Sequence, residues 1–415
     1  MNKSDKMGTK KILPLLVEFS IPAIIGMLVN AIYNIVDRMF IGNAPELGSV
    51  GLAGISICYP VTLVLMAISL MIGMGGATRF SIALGQGKKE DAGMYMGNGL
   101  TLTIILGLIF MILGNLFLDP MLKVLGASKT VLPYAESYLS IILYGAVFQC
   151  VAMAGNNFSR AQGNPKNAMI SQLIGAGFNI LFDYILICIF HMGMEGAALA
   201  TITGQIISFS ISLRYMFHFK TIKLSRESFI VSAAHCKKIF ILGASACFNQ
   251  IAMTVVQIVM NNTLSHYGAQ SIYGGDIPLA CAGIITKVNM IFMSFVIGIS
   301  QGTQPVIGFN YGAKKYARVR KTYLLALGAA SALSLIAFAC FQIFPRQIIS
   351  IFGNGSDLYF KFSERYFRIY MFLTIVNGIQ PVTSNFFNSI GKSQLGVFMS
   401  LTRQIIFLLP LIIAV

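Results

Sequence analysis

The chain has no tryptophan, only 14 acidic residues in 415, and a total charged content of 11%. With 56% hydrophobic residues and a mean hydropathy of +0.76, that scarcity of charge excludes a soluble domain and points to a polytopic membrane protein. Seven cysteines are scattered without paired or metal-like spacing. Cys58, Cys150, Cys188, Cys247, Cys281 and Cys340 sit in apolar runs and read as small core residues. The four histidines, His191, His218, His235 and His266, fall near segment ends and form no H-x-x-x-H or Cys/His cluster, which argues against a metal centre. No nucleophile–base pair or glycine-rich phosphate loop stands out, so an enzyme is not expected. No foldable basic domain stands apart from the apolar runs, so the net charge of +16 speaks for membrane topology and against nucleic acid as partner. Without tryptophan, any interfacial belt falls to tyrosine.

What the chain does have is long apolar segments. Hydropathy predicts eleven spans, at 12–41, 50–84, 93–118, 133–155, 167–190, 193–219, 239–264, 278–309, 322–344, 359–387 and 395–415. The first follows Lys3, Lys6, Lys10 and Lys11 as a signal peptide would, but it is too long and lacks a small-residue cleavage site, so it reads as a retained span. Alternate loops are rich in Lys and Arg: Lys88 and Lys89, Arg160 and Lys166, the run from Arg214 to Lys238, Lys314 to Lys321, and Lys392. The opposite loops carry chiefly Lys123, Lys129, Arg346 and Lys361. This asymmetry places the N-terminus in the cytoplasm of a plasma-membrane protein, with the lipid bilayer as its surroundings.

The polar connection at 220–238 divides two copies of one pattern, about 228 residues apart. Asn157-Phe158 through Gly163-Asn164 returns as Asn385-Phe386 through Gly391-Lys392, Glu136 and Tyr138 return as Glu364 and Tyr366, and Gly85 to Lys89 returns as Tyr311 to Lys315. The expected fold is all-α, two homologous six-helix bundles related by an axis along the membrane normal, in lobes 1–222 and 223–415. Val415 corresponds to Ile187, inside the fifth span of the first copy, so the second lobe shows five of its expected six helices.

Two acids interrupt the apolar runs of the first copy. Asp37 shares a helical face with Asn30 and Asn34, flanked by Tyr33; Asp183 shares one with Asn179; and Thr201 and Gln205 share one on the next span. A carboxylate deep in a membrane helix costs about 2.5–3.5 kcal/mol on insertion scales, so such a face belongs in a bundle interior or a wet cavity. Carboxylates, amides and a hydroxyl suit Na⁺ or another small cation, and desolvated carboxylates also suit carriage of a proton. The repeat supplies a control: Asp183 aligns with Leu411, Asn179 with Phe407, and Asp37 near Met260 or Asn261. Both acids are absent from the second copy, which favours a role beyond scaffolding, although polar residues in membranes also bind helices together. Glu18, Arg38 and Arg79 read as charges reaching water or pointing away from Asp37. Lys287 lies inside the eighth span and reads equally as a substrate contact or an interhelical bond. Pro22 is a candidate bending point of the first helix, a static kink being the alternative.

Taken in order, Tyr33-Asn34-Ile35-Val36-Asp37, Gly75-Gly76-Ala77, Arg160-Ala161-Gln162-Gly163-Asn164-Pro165, Asn179 to Asp183, Gly196 to Thr201 and Gly302-Thr303-Gln304-Pro305 resemble the multidrug and toxic compound extrusion (MATE) family over the entire chain. The resemblance is to the branch of DNA-damage-inducible protein F and the staphylococcal-type efflux pumps. It implies twelve helices around a V-shaped cavity, and Na⁺- or H⁺-coupled antiport of drugs and toxic organic cations by a bacterial protein, here expected as a monomer. It also implies ion binding by Asp37, Asn179, Asp183 and Thr201, with Tyr33 and Asn156 nearby, and bending at Pro22. Asn34, Gln205 and Lys287 are expected to line the substrate cavity, and no cofactor beyond the coupling ion is implied. A lipid-linked sugar flippase and a non-transporting fragment are the alternatives.

Overall fold

The computed structural model describes residues 5–44, 47–219, 221–222, 224–272, 276–352 and 357–414. All regular structure among them is helical. A short α1 (Asp5–Thr9) leads into α2 (Ile12–Asn43), α3 (Gly48–Gly85), α4 (Lys89–Leu116), α5 (Leu118–Val124), α6 (Leu132–Tyr144), α7 (Ala146–Ala161), α8 (Pro165–Asp183) and α9 (Gly193–Phe217). After the connection come α10 (Ala233–Ala269), α11 (Asp276–Gly312), α12 (Tyr316–Ile343), α13 (Pro345–Phe352), α14 (Asp357–Tyr370), α15 (Thr374–Asn377), α16 (Ile379–Ser389), α17 (Ser393–Leu401) and α18 (Leu409–Ala414). With no water in a bilayer core to satisfy backbone groups, uninterrupted helices are the structure such apolar runs must take.

Eight helices among the described residues are long and apolar enough to cross a membrane, and α6 with α7, bent by 52° at Gly145, makes a ninth. Of the eleven spans expected from hydropathy, those at 133–155, 359–387 and 395–415 are each built here from more than one helical piece. The stretch expected at 359–387 is built from α14, a tight turn over Met371–Leu373, α15 and α16. Lys361, Glu364, Arg365 and Arg368 make α14 amphipathic rather than uniformly apolar, and Arg346 lies 3.6 Å from Glu364. The stretch expected at 395–415 is α17 and α18 with a wide helical turn, Thr402–Leu408, between them.

The repeat is visible in the turns. Gly163 and Gly391 both adopt positive φ, +99° and +83°, conformations that cost a glycine little. In each copy the glycine N–H bonds the carbonyl three residues back, and the next N–H bonds the carbonyl five back, Ser159 in one and Phe387 in the other. These are the αL helix endings that let α7 and α16 stop and α8 and α17 begin.

The two halves are sewn together at one face, the one that carries the N-terminus and the Lys/Arg-rich loops. Among the described residues, every hydrogen bond between α1–α9 and the chain beyond the connection lies there. Gln304 Nε2 donates to Thr78 Oγ1 at 2.7 Å, Asn310 Nδ2 to the Met7 carbonyl at 2.9 Å, and Lys315 Nζ to the Gly8 carbonyl at 2.9 Å. Arg318 reaches the carbonyls of Met7 and Lys10, and Glu18 pairs with Lys6 and Lys10. Met7 is fully buried with Leu15, Phe19 and Val306, so α1 is a plug held at both ends. Backbones touch here as well: a Cβ on Gly312 of α11 would lie 2.1 Å from the Ile82 carbonyl oxygen of α3, and deeper in the bundle one on Gly243 of α10 would lie 1.7 Å from the Met71 carbonyl oxygen.

Helix α2 runs unbroken through Pro22. A Cβ on Gly302 or Gly298 of α11 would fall 2.7 Å from Ser20 Cα or 2.6 Å from Ile24 Cα, so Pro22 sits where α2 presses hardest on the other half. The proline ring leaves the Glu18 carbonyl without its helical donor at this contact.

Candidate functional site

The site is fixed by how α8 is wedged between α2 and α9. Asn164-Pro165 starts α8 with proline in its first turn, where the missing N–H costs nothing. α2 and α8 run in the same direction, and Gly26 meets Gln172 so closely that a Cβ there would lie 2.2 Å from Gln172 Oε1. Asp37 lies eleven residues beyond Gly26, and Asp183 eleven beyond Gln172, about three turns up each helix. The two carboxylates consequently come out at one level, and they are near enough to interact side by side. Helix α9 runs the other way. Ser171 Oγ bonds the Ser208 carbonyl at 3.0 Å, Gly175 and Gly204 touch backbone to backbone, and Asn179 Cβ would lie 3.0 Å from a Cβ on Gly204. One further turn puts Thr201 at the level of Asn179.

Asp183 is fully buried, Asn179 is 3% exposed and Asp37 9%. Asp37 Oδ1, both Asp183 carboxylate oxygens, and both polar atoms of the Asn179 amide are buried without a hydrogen-bond partner. An unsatisfied buried polar atom typically costs about 1–3 kcal/mol, more when charged. A cluster of them around two carboxyl groups leaves oxygens free to take a proton or to meet a small cation. Its donors are hard oxygens, the chemistry of Na⁺ or H⁺. Among the described residues no three His, Cys, Asp or Glu side chains converge to hold a metal ion. Ile41, Cys58, Ile187, Met194 and Ala197 share one buried apolar cluster in this half of the chain. Directly after Asp183 the helix widens over Tyr184–Ile189, a deviation that ends regular bonding at the site.

Tyr33 lies within electrostatic reach of both carboxylates, as expected, and so does Tyr138 of α6, which the sequence reading did not assign to the site. Its one signal was recurrence in the repeat as Tyr366. Thr201 Oγ1 donates to the Ala197 carbonyl at 3.1 Å within its own helix. Asn156 stands apart from the pair. Its Oδ1 accepts from Ser212 Oγ at 3.1 Å, and Ser212 bonds Ser171, which lies twelve residues, about 18 Å of helix rise, below Asp183. Gln205 Nε2 donates to Gln149 Oε1 at 3.3 Å, tying α9 to α7 and leaving Gln205 Oε1 buried and unpaired. Asn34 bonds back to Asn30 on its own helix. Lys287 is exposed on α11 in the other half, far along the chain from the acids. Arg38 packs 5.5 Å from the centre of the Tyr59 ring and lies within electrostatic reach of Asp37.

Ionisable residues buried within membrane-spanning helices mark functional sites. The chain belongs to the MatE family, whose sequence model matches residues 22–185 and 245–413. That family consists of transporters and not of enzymes. The chain is 24% identical over 404 residues to a FAD transporter of Shewanella oneidensis, covering 95% of this chain and 86% of the relative. It is 25% identical over 392 residues to the multidrug export protein MepA of Staphylococcus haemolyticus, covering 94% and 84%. Among solved structures, a MATE crystal structure in complex with MaL6 superposes with a TM-score of 0.90 at 23% identity, covering 98% of this chain and 89% of the other. An outward-facing MATE family multidrug resistance transporter superposes with a TM-score of 0.88 at 24% identity, covering 96% and 88%.

Proposed function

We propose that this protein is a multidrug exporter of a bacterial plasma membrane, driving out amphipathic, often cationic compounds in exchange for Na⁺ or H⁺ taken up at Asp37 and Asp183. The observation that carries the reading is the buried, partnerless carboxylate pair of α2 and α8. Asn179 completes the oxygen set, Thr201 stands at its level, and Tyr33 and Tyr138 border it. The export of several compounds by a relative of similar length supports the substrate class.

Lys/Arg-rich loops favour the cytoplasm, which makes the sewn face the cytoplasmic seal of the present arrangement. An ion that binds one lobe arrangement better than the other, and a drug with the opposite preference, displace one another across a two-state cycle. Coupling requires nothing more than that difference. A flippase for lipid-linked sugars would need a strongly cationic cavity, and the apolar spans offer mainly Lys287, exposed on α11, toward one.

In vesicles containing the purified protein and a fluorescent cationic dye, an imposed Na⁺ or H⁺ gradient of the correct sign will drive dye against its own gradient to a concentration ratio of about tenfold, the ratio that 1.4 kcal/mol of driving force sustains. The gradient that works identifies the ion. No gradient-driven movement under either condition overturns the proposal.

A further inference from the structure

The sealed face contains a second charge that the carboxylate site does not use. Arg160, near the end of α7, is only 6% exposed, and among the described residues its one hydrogen bond runs from Nη2 to Asn157 Oδ1 at 2.9 Å. No carboxylate pairs with it among the described residues. The carbonyl end of α7 offsets part of its charge, but four of five guanidinium N–H groups remain. Arg160 lines a small pocket of about one water's size, which a slightly larger particle enters with a small shift of its side-chain walls. The other walls are Ser81 and Ala77 of α3 and Gln301 and Gln304 of α11. Ser81 Oγ is buried without a partner, and the Gln301 amide has its Oε1 unpaired and can present N–H by turning over. Beside the pocket, Gln304 and Thr78 bond across the two halves. A buried cation with unspent donors needs a counter-charge, since an uncompensated buried charge is strongly destabilising.

We infer that this pocket binds a halide-sized anion between Arg160, Ser81 and Gln301. Because its walls come from α3, α7 and α11, the anion is held by both halves only while this face is sealed. It therefore favours the sealed arrangement and must leave when the face opens. The site is separate from Asp37 and Asp183 and from any drug.

The test compares purified protein in sodium chloride and in sodium gluconate at equal Na⁺ and ionic strength. Chloride is expected to raise the thermal midpoint saturably, by about 3 °C or more at saturation. Arg160→Gln is expected to lose the rise, and Ser81→Ala to need several-fold more chloride for it. Crystals grown in bromide should show an anomalous peak between Arg160 and Ser81, a readout that needs no variant and holds even where Arg160→Gln fails to fold. Coincident melting curves for the unmodified protein in the two salts, an equal chloride response in Arg160→Gln, or bromide crystals without that peak would each overturn the inference.

Discussion

Asp37→Asn and Asp183→Asn will each abolish gradient-driven export while the protein still inserts and folds. The two carboxyl groups interact side by side in the described bundle, and asparagine keeps their shape while removing what a cation or proton binds. Hydrogen bonds and contacts to a charged group are worth about 1.5–3 kcal/mol each, so ion binding weakens roughly ten- to a hundredfold per substitution. Stability should hold or rise slightly, because two buried negative charges side by side repel. Dye efflux from vesicles under the working gradient, normalised to protein inserted, is the measurement. Retained coupling in either variant would remove that acid from the mechanism.

Gly243→Val will unseal the basic face. A Cβ at Gly243 would lie 1.7 Å from a backbone oxygen of α3, which cannot swing aside as a side chain would. Overpacking a tight contact costs about 1–3 kcal/mol, and a rigid backbone neighbour puts this case at the upper end or beyond. A cost of 3 kcal/mol changes the ratio of sealed to unsealed molecules by roughly a hundredfold. In the two-state cycle proposed above the halves part at this contact in the other arrangement, so the expected result is a shift in population and not unfolding. All seven cysteines are free and can be replaced, and spin labels at the exposed Lys89 and Ala317 then report the separation of the halves across this face. In the parent a single short distance is expected; in Gly243→Val a longer one should dominate, with transport slowed at least about tenfold. An unchanged distance distribution would show that the seam tolerates the side chain and that the close approach does not control the equilibrium.

How much of this was legible in the sequence depended on how far each residue departs from its surroundings. Asp37, Asn179 and Asp183 stood out because a polar side chain in an apolar run must be satisfied somewhere, and helical periodicity put them on defined faces. Their meeting depends on the pairing of Gly26 with Gln172, and nothing in the sequence distinguished that glycine from the other 39. Tyr138 was invisible as a site residue because a tyrosine in an apolar helix reads as core; its recurrence as Tyr366 was the only trace. Asn156 was carried to the site by family resemblance alone, whereas local spacing ties it to Ser212 and Ser171, a separate polar layer. Hydropathy also overstated continuity. A window average cannot see the bend at Gly145 or the charged face of α14, both set by packing around the second half of each repeat. The seam was unreadable too, since α1 is five residues long and its burial rests on side chains some 300 positions away.

The central claim is that Asp37 and Asp183 form one cation site. Its most direct test is binding to the purified protein in the absence of any drug, measured as retained radioactive Na⁺ and, in parallel, as protons taken up or released on adding Na⁺. Wild type is expected to bind one Na⁺, or to exchange one proton in its place, and Asp37→Asn and Asp183→Asn should each lose that signal. Undiminished Na⁺ binding and proton exchange in both variants would contradict the account.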